Sequence, residues 1–352
     1  MESAQDRDRW LSKQLKEAND LVGLGGQALR RGQTAAGAQA LAEAEAILDM
    51  AEVDSHELLK TRARVFNELG VVHQRQGRLD ESKIYHKKAA GICDELIEAG
   101  DNFAANSAAT HLNLSSIHLA LGEVEKAQEC GEKALGLLQG LSEAETEKDE
   151  DGNAARRGPD PLELGALQNL AVIYARKEQW EKANESMAGA QKLALELAAA
   201  GQKNFLAQLA QGCQQLSVIE FEHERFDDSL RWGRAAEELS EQAYEALGSN
   251  VLPVYIISQL NLISYQEKMG NFADAEDSLW KALEVAGNDP RILQRGVIFY
   301  ETCRKQADPR LEEGNLPREE VDAGYEELME RVEAAGGLKA VQQKAQQGRK
   351  GA

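Results

Sequence analysis

The chain has 352 residues, 60 acidic against 40 basic side chains, a formal net charge of −20 at pH 7 and only 5% aromatic residues. A surface this acidic repels nucleic acid and anionic lipid headgroups, which leaves a basic protein segment as the partner that charge favours; it also keeps a protein dissolved whatever it binds. The six prolines begin only at Pro159, while Ala, Leu, Glu, Gln and Lys dominate, so a largely helical chain is expected.

The four cysteines, Cys93, Cys130, Cys213 and Cys303, stand far apart and form no CxxC pair. That spacing argues against a zinc ribbon or a disulfide framework and for reduced thiols in a cytosol-like compartment. The N-terminal MESAQDRDRWLSK is charged, with no basic region leading into an apolar stretch, and no uninterrupted apolar run approaches membrane-spanning length. A cytoplasmic protein is expected, free or associated with the cytoskeleton or an organelle, with no membrane insertion.

In chain order, helical apolar spacing begins with Trp10, Leu11, Leu15, Ala18, Leu21, Leu24 and Ala28, interrupted by Gly23, Gly25 and Gly26. Residues 1–17 are read as an N-terminal helix or cap. A second helix spans about Thr34 to Met50, with Asp54 and Ser55 as N-cap candidates for the next. Gly77-Arg78 marks a turn, Gly100 a left-handed helix end, and Asp101 the opening of another helix.

Six Leu-led pairs then fall in register: Leu24-Gly25, Leu69-Gly70, Leu114-Ser115, Leu170-Ala171, Leu216-Ser217 and Leu262-Ile263, at intervals of 45, 45, 56, 46 and 46 residues. Twelve residues after each second member stands a small residue (Gly37, Ser82, Ala127, Ala183, Ser229, Ala275). Seven further on stands Ala every time (Ala44, Ala89, Ala134, Ala190, Ala236, Ala282). Small residues at fixed phase allow two antiparallel helices to approach closely, with Leu filling the seam. A turn glycine recurs at Gly32, Gly77, Gly122 and Gly270. Glu178 and Glu224 replace it in the fourth and fifth units, where tighter helical turns without a left-handed residue are expected.

This pattern resembles tetratricopeptide repeats, most closely in NELGVVHQRQGRLDESKIYHKKAA and NLAVIYARKEQWEKANESMAGAQKLA. The interval exceeds the family's usual repeat, and in this the chain is similar to long-repeat members such as kinesin light chains, whose Asn-Leu-Ala helices Asn169-Leu170-Ala171 resembles. The family's first-helix aromatic survives only as Tyr174, with Ala28, His73, His118, Glu220 and Gln266 at the other sites. The resemblance implies an all-α, right-handed superhelical solenoid of about six helix-turn-helix units, near 18–51, 63–99, 108–140, 164–200, 210–247 and 256–287, within residues 18–287.

A polar excursion at 141–161, acidic then basic and ending in two prolines, breaks the period and reads as flexible. Asp149, Asp151 and Gly152 within it do not complete a calcium loop, because the closing Glu would fall at Gly158. Residues 288–305 can cap the solenoid, although Gln294 and Gly296 interrupt the apolar stripe. Residues 306–352 read as a linker, an acidic helix ended by Gly336-Gly337, and a basic tail with Lys339, Lys344, Arg349 and Lys350.

No phosphate loop, HExxH, GxSxG or Cys-His pair is present, so no enzyme activity and no cofactor or metal is expected. His111 and His118 lie seven apart on one helix, and packing explains them better than metal binding. In tetratricopeptide arrays the residue before the fixed Leu faces the concave side. Here that row is Gly23, Glu68, Asn113, Asn169, Gln215 and Asn261, mostly carboxamides able to hold a peptide backbone, or alternatively to bond the neighbouring helix. Arg75, Arg176 and Lys268, each seven residues further on, would add positive points.

The clamp by which some family members hold a chaperone's terminal carboxylate is not matched: Asn67 and Val71, then Gly165 and Asn169, stand where its other ligands would be needed. The expected function is a non-enzymatic scaffold or adaptor that binds a protein or peptide in the concave groove. The alternatives are a peptide-gated regulator and an assembly factor or co-chaperone without that clamp. The oligomeric state is left open.

Overall fold

The computed structural model describes residues 4–51, 55–144 and 160–350. Asp54 and positions 145–159 of the expected excursion, with Asp149, Asp151 and Gly152, lie outside the described residues. Among those described there is no strand, and the fold is an all-α helical solenoid. The chain divides into two compact lobes, residues 1–193 and 194–352.

In the N-terminal lobe the helices are α1 (Ala4–Arg30), α2 (Thr34–Asp49), α3 (His56–Arg75), α4 (Leu79–Glu98), α5 (Ala104–Ala120), α6 (Val124–Ala144) and α7 (Pro161–Arg176), with α8 (Trp180–Ala199) crossing the division. First helices pack side by side, α1 on α3, α3 on α5 and α5 on α7. The second helices α2, α4 and α6 each pack on the first helix of their own repeat and on that of the next. The first-helix row therefore forms one layer, and its side away from the second helices is termed the inner face.

The fixed small residues are what let the helices meet. Gly70, Ser115 and Ala171 are buried, as are Ser82, Ala127 and Ala183, and Ala44, Ala89, Ala134 and Ala190 are fully enclosed. Ser82 Oγ donates to the Gly70 carbonyl at 2.8 Å and Ser115 Oγ to the Ala127 carbonyl at 2.8 Å, bonds that only near-touching backbones permit. A Cβ on Gly70 would lie 2.6 Å from the His86 ring.

The fixed Leu packs backwards: Leu170 lies against Gly131 of α6, within 3.0 Å of where a Cβ would stand. Leu69, Leu114 and Leu170 are buried, but Leu24 is 58% exposed. In that repeat the cap and the first helix form one continuous helix, α1. Gly25 within it is a close-approach site, since a Cβ there would meet Leu41 Cγ at 2.7 Å.

Caps follow local chemistry. Ser55 Oγ accepts from Leu58 N at 3.2 Å, and Asp160 Oδ1 from Leu162 N at 2.8 Å. Asp101 does not open α5 as expected: α5 begins at Ala104, and the Asp101 carboxylate instead pairs with Lys60 at 3.0 Å and His56 at 2.7 Å. The turns at Glu178 and Glu224 also differ from expectation. Both residues are left-handed, with φ of 57° and 59°, matching Gly32, Gly77, Gly122 and Gly270. The same backbone bond closes them, Gln179 N to the Tyr174 carbonyl at 2.8 Å and Arg225 N to the Glu220 carbonyl at 2.9 Å. The turn geometry is thus kept at the cost of left-handed strain.

The C-terminal lobe contains the rest of α8 with α9 (Asn204–Glu222), α10 (Phe226–Leu247), a 3-10 turn (Gly248–Val251), α11 (Leu252–Met269), α12 (Phe272–Ala286) and α13 (Pro290–Arg304), followed by α14 (Asp308–Glu313), α15 (Arg318–Ala334) and α16 (Leu338–Lys350). Asp289 caps α13 by accepting from Arg291 N at 2.9 Å. The expected linker contains α14, and the basic tail is helical, burying Val341 and Ala345 while α16 packs on α13.

Gly296, which interrupts the apolar stripe in the sequence, is a close-approach site where a Cβ would meet Leu328 at 2.9 Å and Leu279 at 3.0 Å. One window within residues 226–269 is long and apolar enough to cross a membrane by composition, with mean hydropathy 1.3. In the fold that stretch is not one helix. It is α10 and α11, packed on each other around the 3-10 turn.

Candidate functional site on the inner face

The expected carboxamide row divides between the lobes. In the N-terminal lobe Asn113 Nδ2 donates to Asn67 Oδ1 at 3.0 Å, and Asn169 Nδ2 donates to Ser116 Oγ at 2.7 Å. Both side chains are half-buried and bind the preceding repeat, which is the helix-bonding role rather than a free ladder. In the C-terminal lobe Gln215 is exposed and Asn261 half-buried, and neither side chain is hydrogen-bonded.

The other expected residues also separate. Arg75 donates through Nη1 to the Leu29 carbonyl of α1, whereas Arg176 and Lys268 are exposed and have no partner among the described residues. Glu68 is half-buried in the N-terminal lobe; burial raises its carboxyl pKa, and the Arg30 and Arg75 charges oppose that rise.

Beside Glu68 the inner face opens into a cavity of about 210 Å³. Val22, Ala63, Cys93, Phe103 and Ala109 give it apolar walls, and Arg64, Asn67, Glu68, Asn106 and Thr110 supply polar groups. Helices α1, α3 and α5 place most of these residues, while Cys93 comes from α4 and Phe103 from the residue just before α5. Asn67 Oδ1 is already shared, accepting from Asn113 and, at 3.1 Å, from His86 Nδ1. The Asn67 amide N–H groups are its remaining donors toward a ligand.

Arg64, Asn67, Asn106 and Thr110 were not singled out from the sequence. Asn67 was considered only as a failed clamp position, yet it stands 46 residues before Asn113, close to one repeat interval, and that spacing was the available signal.

His118 Nδ1 bonds Glu123 Oε2 at 2.6 Å, and His111 Nε2 lies 3.7 Å from Asp94. Among the described residues no cluster of three His, Cys, Asp or Glu side chains could hold a metal. Burial pushes the thiols up, Cys93 to about 11 and Cys213 and Cys303 to about 12, so they are poor nucleophiles.

Residues 61–140 match the tetratricopeptide repeat family, and residues 164–333 match a family of unknown function, DUF6483. No curated protein is similar in sequence. Among solved structures, a signal-transduction ATPase with numerous domains carrying a tetratricopeptide repeat sensor, from Pyrococcus horikoshii, aligns with TM-score 0.56 and 13% identity over 88% of this chain. This chain spans only 43% of that protein's length.

The apo form of the quorum sensor NprR from B. thuringiensis aligns with TM-score 0.52 and 13% identity, covering 94% of this chain and 85% of NprR. The apo form of RapI aligns at 0.49 with 16% identity, covering 90% and 99%. At these identities the likeness is one of fold. The family match over residues 61–140, the in-phase close approaches and the left-handed turn repeated between paired helices together identify tetratricopeptide repeats within this all-α solenoid.

Proposed function

We propose that the protein is a non-enzymatic scaffold or adaptor whose inner, first-helix face receives an extended protein segment. The observation that carries this reading is the cavity beside Glu68, which sets hydrogen-bonding side chains around apolar walls of the size one or two peptide side chains would fill. Four unpaired cysteines suit a reducing, cytosol-like compartment.

Selection from a displayed peptide library against the wild-type protein, followed by anisotropy titrations with the Asn106→Ala and Arg64→Ala variants, tests the reading. Selected peptides should lose about tenfold or more in affinity on losing these contacts. Unchanged affinity in both folded variants would remove the cavity from the binding site.

A second reading, a regulator gated by its peptide, is favoured by Asn67, which both lines the cavity and bonds the next repeat. A ligand that recruits Asn67 competes with that bond and loosens the contact between repeats. X-ray scattering of the full chain with and without a selected peptide checks it, and superimposable profiles would dismiss gating.

A further inference from the structure

Within the C-terminal lobe charge is segregated by layer. The first-helix row α9, α11 and α13 carries four acids (Glu220, Glu222, Glu267, Glu301) and four bases (Lys268, Arg291, Arg295, Arg304), and Glu220 is fully buried. The second helices α10 and α12 carry ten acids and three bases. The net charge of −20 therefore misdescribes the first-helix row of this lobe, where acids and bases are equal in number.

The cations concentrate at a cleft of about 430 Å³, lined by Lys268, Arg295 and Arg310 with one carboxylate, Glu267, and by Phe221, Phe272, Ser264, Thr302 and Gln306. Arg295 is fixed in place, its Nε donating to Ser264 Oγ at 3.2 Å and its Nη2 paired with Glu267, while its Nη1 has no partner. Lys268 is exposed and unpaired. Arg310 lies across Gly270, so close that a Cβ there would stand 2.5 Å from Nη2, and its ion pair is an exposed one with Glu313 at 3.2 Å.

Helix α14, which delivers Arg310, is itself tied to the turn through Ala273 N and the Gly314 carbonyl at 3.0 Å. Of the three cations, Lys268 has no carboxylate partner among the described residues and Arg310 has only a solvent-exposed one in Glu313. A third holds an unpaired donor, beside aromatic walls and hydroxyl and amide groups.

We propose that this cleft is a binding site for carboxylate groups of an acidic peptide segment, so that the partner of the inner face is acidic there rather than basic. The inference rests on the reading that the inner face binds peptide. Carboxylates answer Lys268 and Arg310 by charge, Phe221 and Phe272 accept an intervening apolar side chain, and Thr302 and Gln306 can bond the peptide backbone. The segregated charge also steers such a segment toward the first-helix row and away from the second helices.

The test uses the full chain and three fluorescein-labelled peptides of one length, alternating Leu with Glu, with Gln or with Lys, titrated by anisotropy at low salt. The Glu peptide is expected to bind about tenfold tighter than the Gln peptide, to weaken with added salt, and to lose that advantage with Lys268→Glu or Arg310→Glu. Reversal at Lys203, exposed at the start of α9 and outside the cleft, should leave its affinity unchanged.

Preference for the Lys peptide, or an equal loss with Lys203→Glu, overturns the acidic-site inference while the peptide-binding reading stands. Failure of all three peptides and of library-selected ones overturns both.

Discussion

Asn113 Nδ2 and His86 Nδ1 both donate to one oxygen, Asn67 Oδ1, at 3.0 Å and 3.1 Å, so a single carboxamide joins α3 to α4 and to α5 of the next repeat. Asn113→Ala removes one half-buried neutral bond and should cost about 1 kcal/mol. Asn67→Ala strands two donors, one of them on the fully buried His86, and should cost about 2–3 kcal/mol. Urea unfolding followed by circular dichroism measures both, and equal losses would contradict the shared acceptor.

His86 is fully buried against Gly70, with Nε2 unpartnered, and burial lowers its pKa to about 4. The unfolded chain protonates this imidazole near pH 6.5, but the folded state does so only near 4. Stability is therefore fully present above 6.5 and is lost as pH falls through that window, by on the order of 3 kcal/mol. His86→Gln should flatten the decline in unfolding free energy between pH 7 and pH 5. Burial depresses His73, His111 and His118 in the same direction, so the difference between variant and wild type is the quantity to read.

At Glu178 and Glu224 a non-glycine residue holds the left-handed conformation that glycine holds in four other turns. Strain of about 1–2 kcal/mol at each is partly offset by the greater unfolded-state freedom of glycine. Glu178→Gly and Glu224→Gly should each raise stability by up to about 1 kcal/mol. A lower melting temperature for both would mean that the Glu side chains make a compensating contact.

The repeat itself was legible because close packing leaves a mark at fixed intervals: only small residues fit where Ser82 reaches the Gly70 carbonyl or Ser115 the Ala127 carbonyl. Leu24 keeps the same register yet is exposed, because burial depends on neighbouring helices that periodicity alone does not encode. Glu178 and Glu224 misled for a related reason, since the turn is dictated by the packing of paired helices and overrides residue preference.

The inner face was less legible. Asn113 and Asn169 share the expected register, but whether a carboxamide faces solvent or a neighbour depends on what the adjacent repeat offers, here Asn67 and Ser116. The Arg310 cleft was not legible at all, because it is assembled by a short helix outside the repeat pattern.

The close-approach Ala sites provide a direct check of register. Ala134 on α6 is fully enclosed, and Leu in its place should overpack the helix crossing at a cost of about 1–3 kcal/mol. Thermal unfolding of Ala134→Leu indistinguishable from wild type would mean that α6 can shift to make room, contrary to the tight seam seen at Gly131, where Leu170 stands within 3.0 Å of a Cβ position.

Glu220 occupies the first-helix site where the fourth repeat has Tyr174, and it is the opposite case to His86. Its side chain is fully buried, both carboxylate oxygens lack partners, and burial, reinforced by Asp228 and opposed by Arg231 and Arg225, raises its pKa to about 7. The folded state keeps the proton up to about 7, whereas the unfolded chain releases it near 4.5. Stability from the protonated form is fully present below 4.5 and is lost as pH rises through 7, by on the order of 3 kcal/mol. Glu220→Gln preserves shape without the charge, so it should be close to neutral at pH 5 and stabilising at pH 8. Denaturant unfolding at the two pH values decides the matter: a variant whose gain is the same at both would show that Glu220 is not protonated in the native fold.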